Sequence, residues 1–306
     1  MHHDPGVPIA RRSIEIETAD GLTLRGDCVT GPGRPKGIVI VAHGYGEHAG
    51  RYDDLIHALA ASRFATFAID QRGHGRSDGE RAYEPELSHY VDDFGLVVEQ
   101  ARADFPGKPC YLIGHSLGGL VALSFAYDHQ SGIEGLVLLA PALRYWATIP
   151  ESGDRLLHRV AKSMPRLPLL GYVPGVRSRK RSTEVEAWRD PLVHHGWIRA
   201  GTIACIHDGG AAALARAKEL AIPILTMHGD ADKVIDPTAS VELYSAIGVR
   251  EHADNTLITW PGMRHELLNE ADADQVVGVI LGWLNGHYTA WRILHPTGTD
   301  ETASAV

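Results

Sequence analysis

Gly114-His115-Ser116-Leu117-Gly118 sets a serine between glycines, after the apolar run Cys110-Tyr111-Leu112-Ile113 and before the Gly/Ala-rich Gly119-Leu120-Val121-Ala122-Leu123. A serine on a strand–turn–helix corner is a candidate nucleophile. The turn forces an unusual backbone at Ser116, the glycines remove Cβ clashes, and the helix N-terminus is aimed at developing negative charge. A glycine-rich turn with a capping serine is the plainer alternative, and the pentapeptide alone does not separate the two. A serine hydroxyl is a poor nucleophile at neutral pH, so the first reading requires a base and an acid to orient it, the acid preceding the histidine in the chain. Both are present. The run 224–227 leads into His228-Gly229-Asp230-Ala231-Asp232-Lys233-Val234-Ile235-Asp236. There Asp232, three residues past the turn glycine, has room to fold back over the strand end. Asp230 is placed to cap the turn, and Asp236 to cap a helix after Pro237. Past the last strand-like run comes Trp260-Pro261-Gly262-Met263-Arg264-His265-Glu266, with His265 in the position of the base. Acyl transfer also needs two backbone donors for an oxyanion. The N–H of Leu117 is one; that of Tyr45, in the glycine-rich His43-Gly44-Tyr45-Gly46-Glu47, is the other.

Such residues meet only if strand ends converge. Continuous apolar runs at 37–42, 65–69, 110–113, 136–139 and 224–227, with a mixed one at 256–260, suit parallel strands covered on both faces. Helix-like stretches occupy 52–62, 87–104, 117–128, 239–247 and 273–284. This alternation predicts an α/β fold with a mostly parallel, doubly wound sheet, and the alternating segments around Asp20-Gly21 predict an antiparallel hairpin ahead of it. The rhythm breaks over 144–218, which is rich in Pro, Arg and His, has weak helical periodicity, and contains no strand-like run. An insertion at the carboxyl ends of the strands covers the ligand crevice of an open sheet, so it reads as a helical cap or lid. Residues 1–143 and 219–288 are then the core, and 289–306 a polar C-terminal tail.

Composition narrows the function classes. The 306 residues include 29 Lys+Arg against 38 Asp+Glu, a net charge of −9, and the mean hydropathy is −0.12. Nothing here suits a nucleic-acid-binding surface. Cys28, Cys110 and Cys205 are widely spaced, and no HExxH accompanies the 18 histidines, so neither a disulfide framework nor a metal site is indicated. Met1-His2-His3-Asp4-Pro5 lacks a basic-then-apolar leader, and no run of about 18 apolar residues exists, which makes a cytoplasmic protein the expectation.

His43-Gly44-Tyr45-Gly46-Glu47-His48-Ala49-Gly50-Arg51-Tyr52 closely resembles the H-G-x-G-E-H-x-x-R-Y segment of monoacylglycerol lipases. So do 70–79 (Asp-Gln-Arg-Gly-His-Gly-Arg-Ser-Asp-Gly) and 114–119. The resemblance covers roughly 13–145 and 220–285, and Thr183-Glu184-Val185 and Asp190-Pro191-Leu192 look family-like within the insertion. It implies an α/β-hydrolase fold, Ser116–Asp232–His265 as triad, and the Tyr45 and Leu117 amides as oxyanion hole. It further implies contacts from Glu47, Arg51 or His115 to the glycerol end of the substrate, directly or by supporting the loop. Glu47 and Arg51 are equally well placed for a structural ion pair at i,i+4. One position departs: three residues after the catalytic histidine, animal members carry a second histidine that helps bind glycerol, and here Leu268 stands. The expected activity is serine ester hydrolysis of monoacylglycerols, a small-molecule lipid ester substrate, with no cofactor. A lysophospholipase, a general esterase for short soluble esters, and a non-catalytic binding protein on the same scaffold are the alternatives. Trp146, Leu167, Leu169, Leu170, Tyr172 and Val173 could line an acyl tunnel, touch a membrane surface, or form the core of the cap. Arg177-Ser178-Arg179-Lys180-Arg181 is either an anionic-headgroup contact or a solvated turn.

Overall fold

The computed structural model describes residues 8–147, 150–171, 173, 175–248 and 254–295. In chain order the elements are β1 (Ala10–Glu17), β2 (Thr23–Thr30), β3 (Gly37–Ala42), α1 (Asp53–Ala61), β4 (Phe64–Ile69), α2 (Leu87–Asp104), β5 (Cys110–His115), α3 (Leu117–Asp128) and β6 (Ile133–Leu139). Then follow α4 (Glu151–Ser163), β7 (Pro168–Leu170), α5 (Arg181–Arg189), β8 (Ile198–Arg199) and α6 (Ala200–Ala215). The chain closes with β9 (Ile224–Gly229), α7 (Pro237–Ile247), β10 (Asn255–Trp260) and α8 (Ala273–Leu294).

Eight strands form one sheet in the order β1-β2-β4-β3-β5-β6-β9-β10. β1 pairs antiparallel with β2, and β2 with β4; from β4 to β10 every pair is parallel. The unbroken apolar runs have a direct cause. In β3, Ile38 and Ile40 pack into the core on one face with Phe94 and Leu120, while Val39 and Val41 pack on the other with Leu55 and Ile280. Truncating such a fully buried residue to Ala costs about 2–5 kcal/mol. β1, at the sheet edge, buries only Ile14 and Ile16 and so alternates.

The insertion differs from its expectation in two ways. β7 and β8 form a small antiparallel ribbon where no strand was expected, and all of β7 is exposed, so no apolar run could announce it. α6 exposes Asp208, Ala211, Ala212 and Ala215 at helical spacing, but three of these are alanines, so residue type does not reveal the amphipathic period that marks a surface helix. At the other end, α8 runs through Leu294. The polar tail assigned from 289 is corrected accordingly: 289–294 are the last turns of a helix, and 296–306 lie outside the described residues. No described helix is long and apolar enough to cross a membrane.

Candidate active site

Every candidate group sits at the carboxyl ends of the parallel strands: Tyr45 after β3, Ser116 after β5, Asp232 after β9 and His265 after β10. Ser116 adopts φ 52°, ψ −118°, a left-handed backbone that a non-glycine residue holds at a cost of about 1–3 kcal/mol. Three bonds over-determine it. Its N–H donates to the Leu139 carbonyl, and its carbonyl accepts from Leu120 and Ala142, each at 3.0 Å. A Cβ on Gly118 would lie 2.3 Å from the Ala42 carbonyl oxygen and 2.4 Å from that of His43, so only glycine lets α3 press against the end of β3. That contact brings the Leu117 amide and the Tyr45 loop to one place.

His265 Nε2 stands 2.9 Å from Ser116 Oγ, and its Nδ1 2.7 Å from Asp232 Oδ2. All three side chains are buried. Of the competing acids, Asp230 accepts from the Gly262 N–H at 2.6 Å and Asp236 caps α7 through the Thr238 N–H at 2.9 Å. Burial pushes the Asp232 carboxyl up, but the His265 charge and the hydrogen bond from His228 outweigh it and hold the group far below the usual carboxylate range. With Nδ1–H on an ionised Asp232, Nε2 presents its lone pair to the serine hydroxyl, the tautomer a general base needs.

His228 was missed at the sequence level, where it read only as the residue after the strand-like run 224–227. Its Nε2 donates to Asp232 Oδ2 at 3.0 Å, and its Nδ1 lies 2.7 Å from Ser240 Oγ. With the Val234 and Ile235 amides on Oδ1 at 2.7 and 3.1 Å, the Asp232 carboxylate takes four donors. A histidine directly before the turn glycine and four residues before the acid was the available signal.

Around the Tyr45 loop, Gln71 N–H donates to His43 Nε2 at 2.8 Å, leaving Nδ1–H for the Gly44 carbonyl at 2.7 Å. Burial lowers the His43 pKa and keeps this ring neutral. Glu47, also buried, accepts on Oε1 from Gly44 N–H (2.6 Å), Tyr52 OH (2.6 Å) and His115 Nδ1 (3.1 Å), and on Oε2 from Arg51 Nε (3.0 Å). Arg51 Nη2 continues to Glu266 at 2.6 Å, and His115 Nε2 reaches the His265 carbonyl at 3.2 Å. Burial alone would raise the Glu47 carboxyl; His115 and Arg51 hold it well below the usual range. This carboxylate therefore ties the Tyr45 loop to the His265 loop.

A cavity of ≈ 90 Å³ opens at Ser116 and His265. Gly44, Tyr45, Glu47 and His115 line it, as do the charged Arg177 and Glu266, while Tyr145, Ile198, Ile206, Val234 and Ile235 supply apolar surface. Arg51 does not line it. With Leu268, it borders a separate outer cleft that also includes Thr183 and Asp190. Trp146, Leu167, Leu169, Leu170 and Val173 do not line it either, being exposed, and Tyr172 lies outside the described residues. Of the basic run, Arg179 pairs with Glu270 and Asp272 at 3.0 and 3.2 Å. The family-like pieces of the insertion are its fastenings to the core. Thr183 Oγ1 donates to the Asn269 carbonyl at 3.1 Å, and Asp190 meets His48 Nε2 at 2.7 Å. No group of three or more potential metal ligands exists among the described residues.

A family model described as Serine aminopeptidase, S33 matches residues 33–272. The monoacylglycerol lipase of Mycolicibacterium smegmatis is 31% identical over 87% of this chain and 94% of its own. The chain belongs to the S33 serine hydrolases and, among them, to the monoacylglycerol lipase family. Monoglyceride lipase from Homo sapiens is 33% identical over 78% of each chain. The crystal structure of Paleococcus ferrophilus monoacylglycerol lipase superposes with a TM-score of 0.75 at 27% identity, covering 92% of this chain and 99% of that one. The fold is thus the α/β-hydrolase fold, and this member of the monoacylglycerol lipase family is a carboxylic ester hydrolase.

Proposed function

We propose that the protein hydrolyses monoacylglycerols to fatty acid and glycerol through an acyl-enzyme on Ser116. The observation that carries this reading is the continuous chain from Ser116 Oγ through His265 to Asp232, at 2.9 and 2.7 Å, in a cavity with both apolar and charged walls. His265 Nε2 takes the hydroxyl proton as Ser116 Oγ attacks the ester carbonyl, and ionised Asp232 stabilises the imidazolium that forms. The Tyr45 and Leu117 amides stabilise the tetrahedral oxyanion. Collapse expels the glycerol oxygen, which leaves with the proton from His265. Water then attacks the acyl carbonyl, His265 again acting as base, and the fatty acid departs with Ser116 restored. Glu47 and His115 act by fixing the two loops, and Arg51 by anchoring Glu47. The 144–218 insertion acts as the cap, and its exposed Trp146, Leu167, Leu169 and Leu170 form the face that meets a lipid surface.

Hydrolysis rates on monoacylglycerol, diacylglycerol, lysophosphatidylcholine and short p-nitrophenyl esters test the substrate. Monoacylglycerol is expected to rank first; if lysophosphatidylcholine or the short esters outrank it, the substrate assignment is wrong although the ester chemistry stands.

A further inference from the structure

The cavity at Ser116 measures ≈ 90 Å³, well below the roughly 300–1,000 Å³ of pockets that enclose an organic ligand. Part of its wall must therefore yield when an ester with a long acyl chain enters. Two wall residues, Tyr145 and Ile198, also pack against a small cluster made by Leu157 of α4 with Ile203 and Ala204 of α6. α4 thus backs the cavity through little apolar surface, and a polar clasp supplements it. His158 Nε2 on α4 donates to both carboxylate oxygens of Asp208 on α6, at 2.9 and 3.0 Å. Its Nδ1 faces the Asp154 carbonyl, one turn back along α4, at 2.8 Å. Each ring nitrogen meets an acceptor, and only the doubly protonated, cationic ring donates to both. A second contact crosses in the reverse sense: Asp154 Oδ1 lies 3.1 Å from His207 Nε2 of α6, and 3.2 Å from His158 Nδ1. The other charges along α4 are Arg155, Arg159 and Lys162, all exposed, while Arg199 of β8 pairs with Glu80.

We propose that cationic His158 latches α4 onto α6 and so keeps the catalytic cavity narrow, and that loss of its proton frees α4, making this part of the cap a gate that opens as pH rises. The gate rests on the ester hydrolase chemistry and not on the monoacylglycerol preference. Its sign follows from the surroundings of the ring. The bond to the Asp154 carbonyl and the bond and charge of Asp208 raise the His158 pKa against a smaller cost of burial. The latch is therefore complete below the ring's unfolded value of about 6.5 and is lost as pH climbs through the folded value. The pair is half-exposed to water, so its loss changes the open fraction by at most about fivefold.

The test measures kcat/KM for p-nitrophenyl octanoate and p-nitrophenyl acetate from about pH 6 to 9 and reads the ratio of the two. Titration of the catalytic base affects both esters alike and cancels in that ratio, whereas the gate matters only to the longer chain. In wild type the ratio should rise about threefold across this range. H158Q, which stands for the neutral ring, should give the high ratio at every pH. H158R, whose cation persists, should give the low ratio at every pH. A merely structural role would move both esters together and leave the ratio unchanged. A wild-type ratio independent of pH overturns the latch, as does a rise that survives in H158Q or H158R. Neither result touches the monoacylglycerol reading, which the ranking of glycerol esters decides separately.

Discussion

Two carboxylate–histidine pairs flank Ser116 and end on different partners. In Asp232–His265 and Glu47–His115 alike, a buried carboxylate meets Nδ1 of a buried imidazole, and the two rings lie 4.9 Å apart between centroids. His115 Nδ1 also has the Tyr52 hydroxyl at 2.8 Å, but the larger difference is the partner of the second nitrogen. His265 Nε2 faces a hydroxyl, which has a proton to give; His115 Nε2 faces the His265 carbonyl, which has none. The first ring can therefore wait as a base. The second has acceptors at both nitrogens, which favour its charged form: burial works against the charge, but the Glu47 hydrogen bond and charge outweigh it and raise the His115 pKa. On the proposed mechanism the same two side chains thus serve as a proton relay or as a strap according to their neighbouring atoms.

Breaking the relay has the largest expected effect. S116A or H265A should lower kcat for ester hydrolysis by about 10⁶-fold, and D232N by roughly 10⁴-fold, with folding intact by thermal melt. Breaking the strap should instead strike stability first. E47Q removes the charge that binds Gly44, Tyr52, His115 and Arg51, and urea unfolding should show a loss of about 3–5 kcal/mol. An E47Q protein as stable as wild type but catalytically dead would mean that Glu47 belongs to the relay.

Acidity separates the pairs further. His115 has its folded pKa raised above an unfolded value of about 6.5. Its stabilising contribution is fully present below that unfolded value and is lost as pH rises through the folded one. The difference in melting temperature between wild type and H115Q should therefore be widest near pH 6 and narrow toward pH 9; a gap independent of pH would show that the ring is neutral. The smallest expected effect concerns His228. H228A removes one of the four donors on Asp232, leaving the carboxylate more basic. The acid limb of the kcat/KM profile should move up by roughly half a pH unit, and H228Q, with an amide to donate, should move it back. An unmoved limb in H228A would reduce His228 to packing.

The sequence exposed Ser116, Asp232 and His265 as candidates because backbone chemistry demands their surroundings. Glycines must surround Ser116 for α3 to meet β3, and Asp232 and His265 sit at fixed short distances from strand ends that apolar runs betray. The strap was only half visible. Glu47 and Arg51 pair at i,i+4, but their further partners, Tyr52, His115 and Glu266, are assembled by the sheet and not by local spacing. The insertion was least legible, for the same physical reason in a stronger form. Its positions are decided by single polar contacts to the core, such as Thr183 to Asn269 and Asp190 to His48, which leave no period in the chain. Of the three readings open for the apolar side chains 146, 167, 169 and 170, the tunnel and the cap core do not fit: they face solvent, while the cavity wall is built from Tyr145, Ile198 and Ile206.

Reaction of the intact protein with a fluorophosphonate, followed by peptide mass spectrometry, tests directly whether Ser116 is the atom at the head of the relay. A single adduct on the peptide bearing Ser116 is expected in wild type, with none in S116A and concurrent loss of monoacylglycerol hydrolysis. An adduct on another residue, or hydrolysis that persists in S116A, would contradict the assignment.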